Sequence, residues 1–258
     1  MVGKAARAST MMLVRGSAPG PWKDTIEWYP LQRFYSRREL ASDFLVHAVG
    51  IFLAAAGNLL LALRLWDLRP PPEIVGSVAL YGFTLLAMIS CSAVYNSGQV
   101  VWKHRAVELS QADHAGIVLL IVGTYTPLMA CTCAWRLLAF VWAVGVFDIA
   151  AKASRGWLDR LPLHVVCFLL MGWSVLVAWE SVAANFSRWA CQMFVTGGVL
   201  YTVGLVPWGI RRLEGHVAIW HVFVIAASSA FFSVVYTEVC AKRRGAVCAD
   251  SILNATTA

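Results

Sequence analysis

The run Val75 to Asn96 reads VGSVALYGFTLLAMISCSAVYN. It contains no Asp, Glu, Lys or Arg, and it is about as long as the ~20 residues that span a bilayer core of ~30 Å as a helix. It closes on the polar turn Ser92-Ala-Val-Tyr-Asn96. Six more apolar blocks lie near 44–66, 114–132, 137–152, 163–180, 189–208 and 218–237. The fourth is the shortest and carries Asp148. Two further polar pieces, Asp113-His114 and His216-Val-Ala-Ile-Trp-His221, also stand at block ends. If the blocks cross a membrane in order, all three polar pieces fall on one side.

Composition points the same way. Of 258 residues, 59% are hydrophobic and 14% charged, where a soluble domain has nearer half and a quarter. Mean hydropathy is +0.67. Twelve Trp and seven Tyr suit a chain with two membrane interfaces to line. No stretch alternates with period two over barrel-strand lengths, which excludes a β-barrel. The expectation is an all-α integral membrane protein, a multi-pass bundle of seven transmembrane helices. The net charge of +7 is explained by topology, so a nucleic-acid partner is not expected and membrane lipids are.

Short connections punctuate the blocks. Arg69-Pro-Pro-Pro72 stops the first helix, because consecutive prolines cannot continue one. Arg155-Gly-Trp-Leu-Asp-Arg-Leu-Pro162 and Arg211-Arg-Leu-Glu-Gly215 separate later pairs. Fourteen Lys and Arg fall on the amino-terminal side of the crossings against four on the other, with three more in the carboxyl tail. Positive residues stay inside, so the amino end is expected in the cytoplasm and the carboxyl end outside it. The chain divides into a basic cytosolic arm (1–42), the helical domain (43–238) and a tail (239–258). The arm's apolar run Met11-Met-Leu-Val14 is too short for a signal-peptide core. The sequons Asn185-Phe-Ser187 and Asn254-Ala-Thr256 fall on the expected outer side, as do Cys131, Cys133, Cys240 and Cys248, which could form disulfides there. Cys91, Cys167 and Cys191 read as packing residues.

All six histidines, His47, His104, His114, His164, His216 and His221, gather at the expected cytoplasmic end. Ionisable groups within spans mark function more often than packing. Asp113 is expected at the start of the third helix, where the N-terminal dipole favours a carboxylate. Asp148 lies deeper, facing other helices, with no role legible.

Several pieces then stand in a familiar order: Glu39-Leu-Ala, His47-Ala-Val-Gly50, Ser92-Ala-Val-Tyr95, Asp113-His114, Gly123-Thr-Tyr-Thr-Pro127, Gly198 with Tyr201-Thr and Gly204, and Ala218-Ile-Trp-His221. Over about 38–237 the chain resembles the haemolysin III branch of the progestin and adipoQ receptor family, which includes adiponectin receptor-like signalling proteins. The resemblance implies seven helices and a zinc site near the cytoplasmic end. Its pattern is Ser-x-x-x-His closing helix 2, Asp opening helix 3 and His-x-x-x-His opening helix 7. Three imidazoles bind the metal, the Asp holds a zinc-bound water, and the open fourth position is the catalytic arrangement for zinc.

This chain departs from that pattern at two ligands. Asn96 stands where a His is expected, and Val217 stands four residues before His221. His216 is one residue off, about 140° from His221 around a regular helix. The amide of asparagine is a weak zinc ligand. Ser92, Asp113 and His221 are retained, with His47, His114 and His216 available as substitute ligands. Phe231 stands where relatives often carry another His. The expectation is a receptor-like or lipid-binding membrane protein with a degenerate zinc site, zinc being weakly held or absent. The alternative is a zinc-dependent lipid amide hydrolase, ceramidase-like, in which Asp113 helps activate water and Ser92 stabilises the oxyanion. A pore or transport activity ranks last, because no ring of like charge is present.

Overall fold

The computed structural model describes residues 26–28, 33–98 and 103–242. Within the amino-terminal arm, β1 (Ile26–Trp28) and β2 (Arg33–Tyr35) pair antiparallel. After them the regular elements among the described residues are all helical. The helices are α1 (Arg37–Leu68), α2 (Pro72–Gly98), α3 (Ala106–Thr132), α4 (Trp135–Ser154), α5 (Leu161–Trp173), α6 (Trp179–Asn185), α7 (Arg188–Gly209) and α8 (His216–Val234). A 3₁₀ segment, Ser174–Ala178, joins α5 to α6 into one span, and a π turn, Val235–Val239, extends α8. Seven stretches are therefore long and apolar enough to cross a membrane, as the sequence reading expects.

The helix ends follow local chemistry. Ser36 caps α1 in a reciprocal capping box with Glu39, which satisfies two orphan N–H groups. That start lies seven residues before the apolar block. Pro72 opens α2, where its missing N–H costs nothing. Ser187 caps α7 by accepting from the Ala190 N–H.

The two ends of the bundle are pinned by polar contacts. At the first, the Gly215 N–H donates to Glu39 Oε1 at 3.0 Å, and the Ser36 hydroxyl donates to Glu214. Gly215 adopts φ 69°, a left-handed conformation that glycine takes at no steric cost. At the other end, Ser187 pairs with Glu238, and Lys242 Nζ donates to the Asn185 carbonyl. The first sequon is thus tied into helix caps, while Asn254 lies outside the described residues. Cys133 is disulfide-bonded, whereas Cys131 and Cys240 are free thiols. Cys248 lies outside the described residues.

The centre of the bundle is α3. Of its most apolar window 72% is buried, against 22–50% for the other spans. It packs most extensively on α2. A Cβ on Gly123 would stand 2.8 Å from the Thr84 Cβ, so the two backbones approach only because this residue is small. Outward residues such as Phe52, Leu59, Trp66 and Phe83 are exposed. A bundle in water would bury them, whereas lipid accepts them.

The fifth span is broken where Ser174–Ala178 tightens to 3₁₀. Tyr125 of α3 reaches that break. Its hydroxyl donates to the Gly172 carbonyl at 2.9 Å and accepts from the Val175 N–H at 2.9 Å. Backbone groups freed in a bilayer need a protein partner, and Tyr125 supplies one. Gly123-Thr-Tyr-Thr-Pro127 thereby combines two jobs, a close approach at Gly123 and a reach at Tyr125. Phe231 packs among aromatic rings, stacked with Phe194 and Tyr201.

Candidate functional site

Two polar clusters form at the end of the bundle where α1 starts. The first is built on Ser92 of α2. Its hydroxyl lies 2.7 Å from His221 Nε2 and 3.3 Å from His47 Nε2. The Asn96 amide donates to the Ser92 carbonyl at 3.0 Å and to its Oγ at 3.2 Å. His221 Nδ1 lies 2.9 Å from the Val217 carbonyl, and His47 Nδ1 lies 2.6 Å from the Asp43 carbonyl. A carbonyl only accepts, so both imidazoles carry their proton on Nδ1 and turn Nε2 toward Ser92. The two rings stand 4.2 Å apart. Asp113 lines the same end of the cavity, and its Oδ1 is buried with no hydrogen-bond partner among the described residues.

Ser92, Asn96, Asp113, His47 and His221 are therefore brought together, from four helices. His216 is buried and lines the same cavity, but it opens α8 one residue before Val217, so it does not share a helix face with His221. The three-imidazole set implied by the resemblance is not assembled here. The Val217 side chain has no ligand atom, and Asn96 turns its amide nitrogen onto Ser92. Asp113 also departs from its expected place. α3 begins at Ala106, two turns earlier, so Asp113 sits beyond the reach of the helix dipole.

His114 leaves the first cluster for a second. Its Nε2 lies 2.6 Å from Asp148 Oδ2, and His164 Nδ1 lies 2.7 Å from Asp148 Oδ1. Asp148 is 0% exposed. The other face of His164 meets the connection after α4, with Nε2 3.1 Å from Asp159 Oδ1, which Lys152 Nζ also reaches at 3.2 Å. Partial burial works to raise the Asp159 carboxyl, but these hydrogen bonds outweigh it and hold it below the usual carboxylate range. His114, Asp148 and His164 offer ligand atoms all within 4.8 Å of one another, an arrangement that could hold a metal ion. The sequence reading placed His114 with Asn96 and gave His164 no role. Asp148 within a span was the signal, since a buried acid there needs partners from the same membrane depth.

Both clusters open onto one cavity of about 710 Å³. Its polar end is lined by Ser92, Asp113, His114, His164 and His221, and its deeper walls by residues such as Leu120, Leu128, Val182 and Phe194. A space of that size, mostly apolar with a few convergent polar groups, is the ordinary form of a small-molecule site.

Comparison with known proteins agrees with this architecture. The haemolysin-III-related family pattern matches residues 35–232. The chain is 27% identical over 205 residues to Hemolysin-3 of Bacillus cereus, covering 77% of this chain and 90% of that protein. It is 28% identical over 206 residues to the Hemolysin-3 homolog of Bacillus subtilis (strain 168), covering 78% and 94%. A family match running from just before the first helix into the last, on a bundle of seven spans with its polar groups gathered at one end, makes this chain a multi-pass membrane protein of the haemolysin III family.

Proposed function

We propose that this protein is a receptor-like lipid binder. The cavity takes an acyl chain in its apolar depth and a polar head at the Ser92, Asp113 and His221 end. The observation that carries this reading is the buried Asp113 Oδ1, an acceptor without a donor on the cavity wall. Buried polar atoms are rarely left unpaired, and a ligand hydroxyl or amide N–H would complete this one. The cluster's weakened donor set, with Asn96 and Val217 at the family's ligand positions, supports binding over efficient metal-assisted hydrolysis. Mass spectrometry of gently purified protein is expected to find a co-purifying lipid. Leu205→Trp, which fills the cavity from α7, is expected to cut its retention by roughly tenfold or more, about 1.4 kcal/mol. Lipid absent from the native protein, or retained equally by the variant, would sink the reading.

One observation favours a second reading. Ser92 Oγ and His221 Nε2 stand at 2.7 Å, with the imidazole tautomer fixed by the Val217 carbonyl, which is the geometry of a nucleophile and its base. Under that reading the same purified protein releases fatty acid from an amide-linked lipid and Ser92→Ala stops the release, whereas no release by the unmodified protein would sink it.

The bias of Lys and Arg supports a cytoplasmic location for the polar end. The Cys133 disulfide at the opposite end fits an oxidising compartment. A glycosylation reporter fused to the carboxyl end is expected to be modified, and an unmodified reporter in a stable fusion would reverse the orientation.

A further inference from the structure

We propose that His114, Asp148 and His164 bind a divalent transition metal of the zinc class, with Asp159 as the carboxylate that orients His164. This site is separate from the Ser92 cluster and does not depend on the lipid-binding reading. It is built from α3, α4 and α5, whereas the Ser92 cluster draws on α1, α2, α3 and α8.

Three observations converge. The first is geometry: the ligand atoms lie within 4.8 Å of one another. Zinc bonds of ~2.0–2.2 Å to His and Asp set tetrahedral ligand atoms about 3.4 Å apart. The two contacts to Asp148, at 2.6 and 2.7 Å, need to open by less than about 1 Å.

The second is the hydrogen-bond inventory of His164. Its Nδ1 faces one carboxylate and its Nε2 faces another. A neutral imidazole has one N–H for two acceptors, so the two contacts are met either by a second proton on the ring or by a cation on Nδ1. With a metal on Nδ1, Nε2–H donates to Asp159 and both nitrogens are used. A metal-bound imidazole held by an outer carboxylate is the usual support of such sites. Lys152 fixes Asp159 from its other side.

The third is placement. Asp148 is fully buried behind the site, while His114 and His164 line the cavity. The position left by three protein ligands therefore faces the cavity, as in zinc sites that keep a place for water or substrate. Two imidazoles with one carboxylate suit zinc, iron or cobalt and not magnesium or calcium, which prefer all-oxygen shells.

The test uses full-length protein in detergent, stripped with EDTA and titrated with zinc salt alone. One tightly held zinc per chain is expected, and Co²⁺ in its place should give the visible bands of a four-coordinate ion. Asp148→Asn, close in shape and able to keep hydrogen bonds, and His164→Gln should each abolish the tight ion. Asp159→Asn should weaken it by about 10–100-fold. His221→Gln should leave its affinity within roughly twofold, as expected for independent sites. X-ray absorption of the unmodified zinc protein should show two imidazoles, a reading that does not depend on any variant folding. No zinc retained by the unmodified protein, or an ion lost with His221→Gln and kept by His164→Gln, would overturn the proposal. The triad would then be a hydrogen-bonded cluster only. Either result leaves the lipid measurement on Leu205→Trp to stand or fall by itself.

Discussion

Asn96→His combined with Val217→His is expected to add about one zinc per chain beyond whatever the unmodified protein holds. The reason lies in what the substitutions leave alone. His221 is oriented by the Val217 carbonyl, a backbone group that the change of side chain preserves, so its Nε2 stays turned toward Ser92. Residues 217 and 221 are one turn apart and share a helix face. Position 96 already lies against Ser92, and both new imidazoles would stand on the cavity wall. Asp113, whose Oδ1 has no partner among the described residues, lines the same cavity and would add a carboxylate beside the imidazoles. Metal bound only by the folded state raises stability by about 2.7 kcal/mol at a hundredfold excess over Kd, so melting should become zinc-dependent. Elemental analysis and a melting series in zinc measure both effects. Unchanged metal content in a folded double variant would overturn the reading that Asn96 and Val217 weaken metal binding at this cluster.

Tyr125→Phe should destabilise the fold by about 2–6 kcal/mol, since it strips one part-buried N–H and one carbonyl within a span of their partner at about 1–3 kcal/mol each. The substitution removes a single oxygen, but that oxygen serves both the Gly172 carbonyl and the Val175 N–H at the break in the fifth span. Tyr201→Phe is the control. Among the described residues its hydroxyl meets only the Ser228 side chain, and hydrogen bonds between spanning helices average ~0.6 kcal/mol. Reversible unfolding in mixed micelles compares the two. Equal losses would mean that the break is satisfied by other means.

Hydropathy made the seven spans legible, because a bilayer imposes length and apolarity on every crossing. It located the membrane, however, and not the helix ends. The segment Ala106 to Ala112 is broken by Glu108, Ser110 and Gln111 and falls outside the apolar block, yet most of its residues form helix readily and α3 starts there. That difference moved Asp113 from a helix start into its third turn. Membrane depth was legible too: the polar groups lie at one end, and Ser92, Asn96 and His221 meet. Which groups meet which was less so, because that depends on the rotation of each helix about its axis. His114 looked like a neighbour of Asn96 by depth alone, but its α3 face points to α4 and α5, where Asp148 and His164 wait. The break at Ser174–Ala178 left no mark in composition, since Val175-Leu-Val-Ala178 is as apolar as the helix before it. The side chain that satisfies it, Tyr125, lies fifty residues upstream.

That contact has a consequence for the order in which the protein is made. Synthesis runs from the amino end, so the third span leaves the ribosome before the fifth. Tyr125 is in place when Gly172 and Val175 arrive, and the discontinuous helix meets its partner on entry rather than facing lipid with bare amide groups. The loss is unequal. A chain cut after the fourth span leaves one side-chain hydroxyl without its partners, whereas a fragment beginning at the fifth would bring backbone groups to the bilayer without the residue that satisfies them.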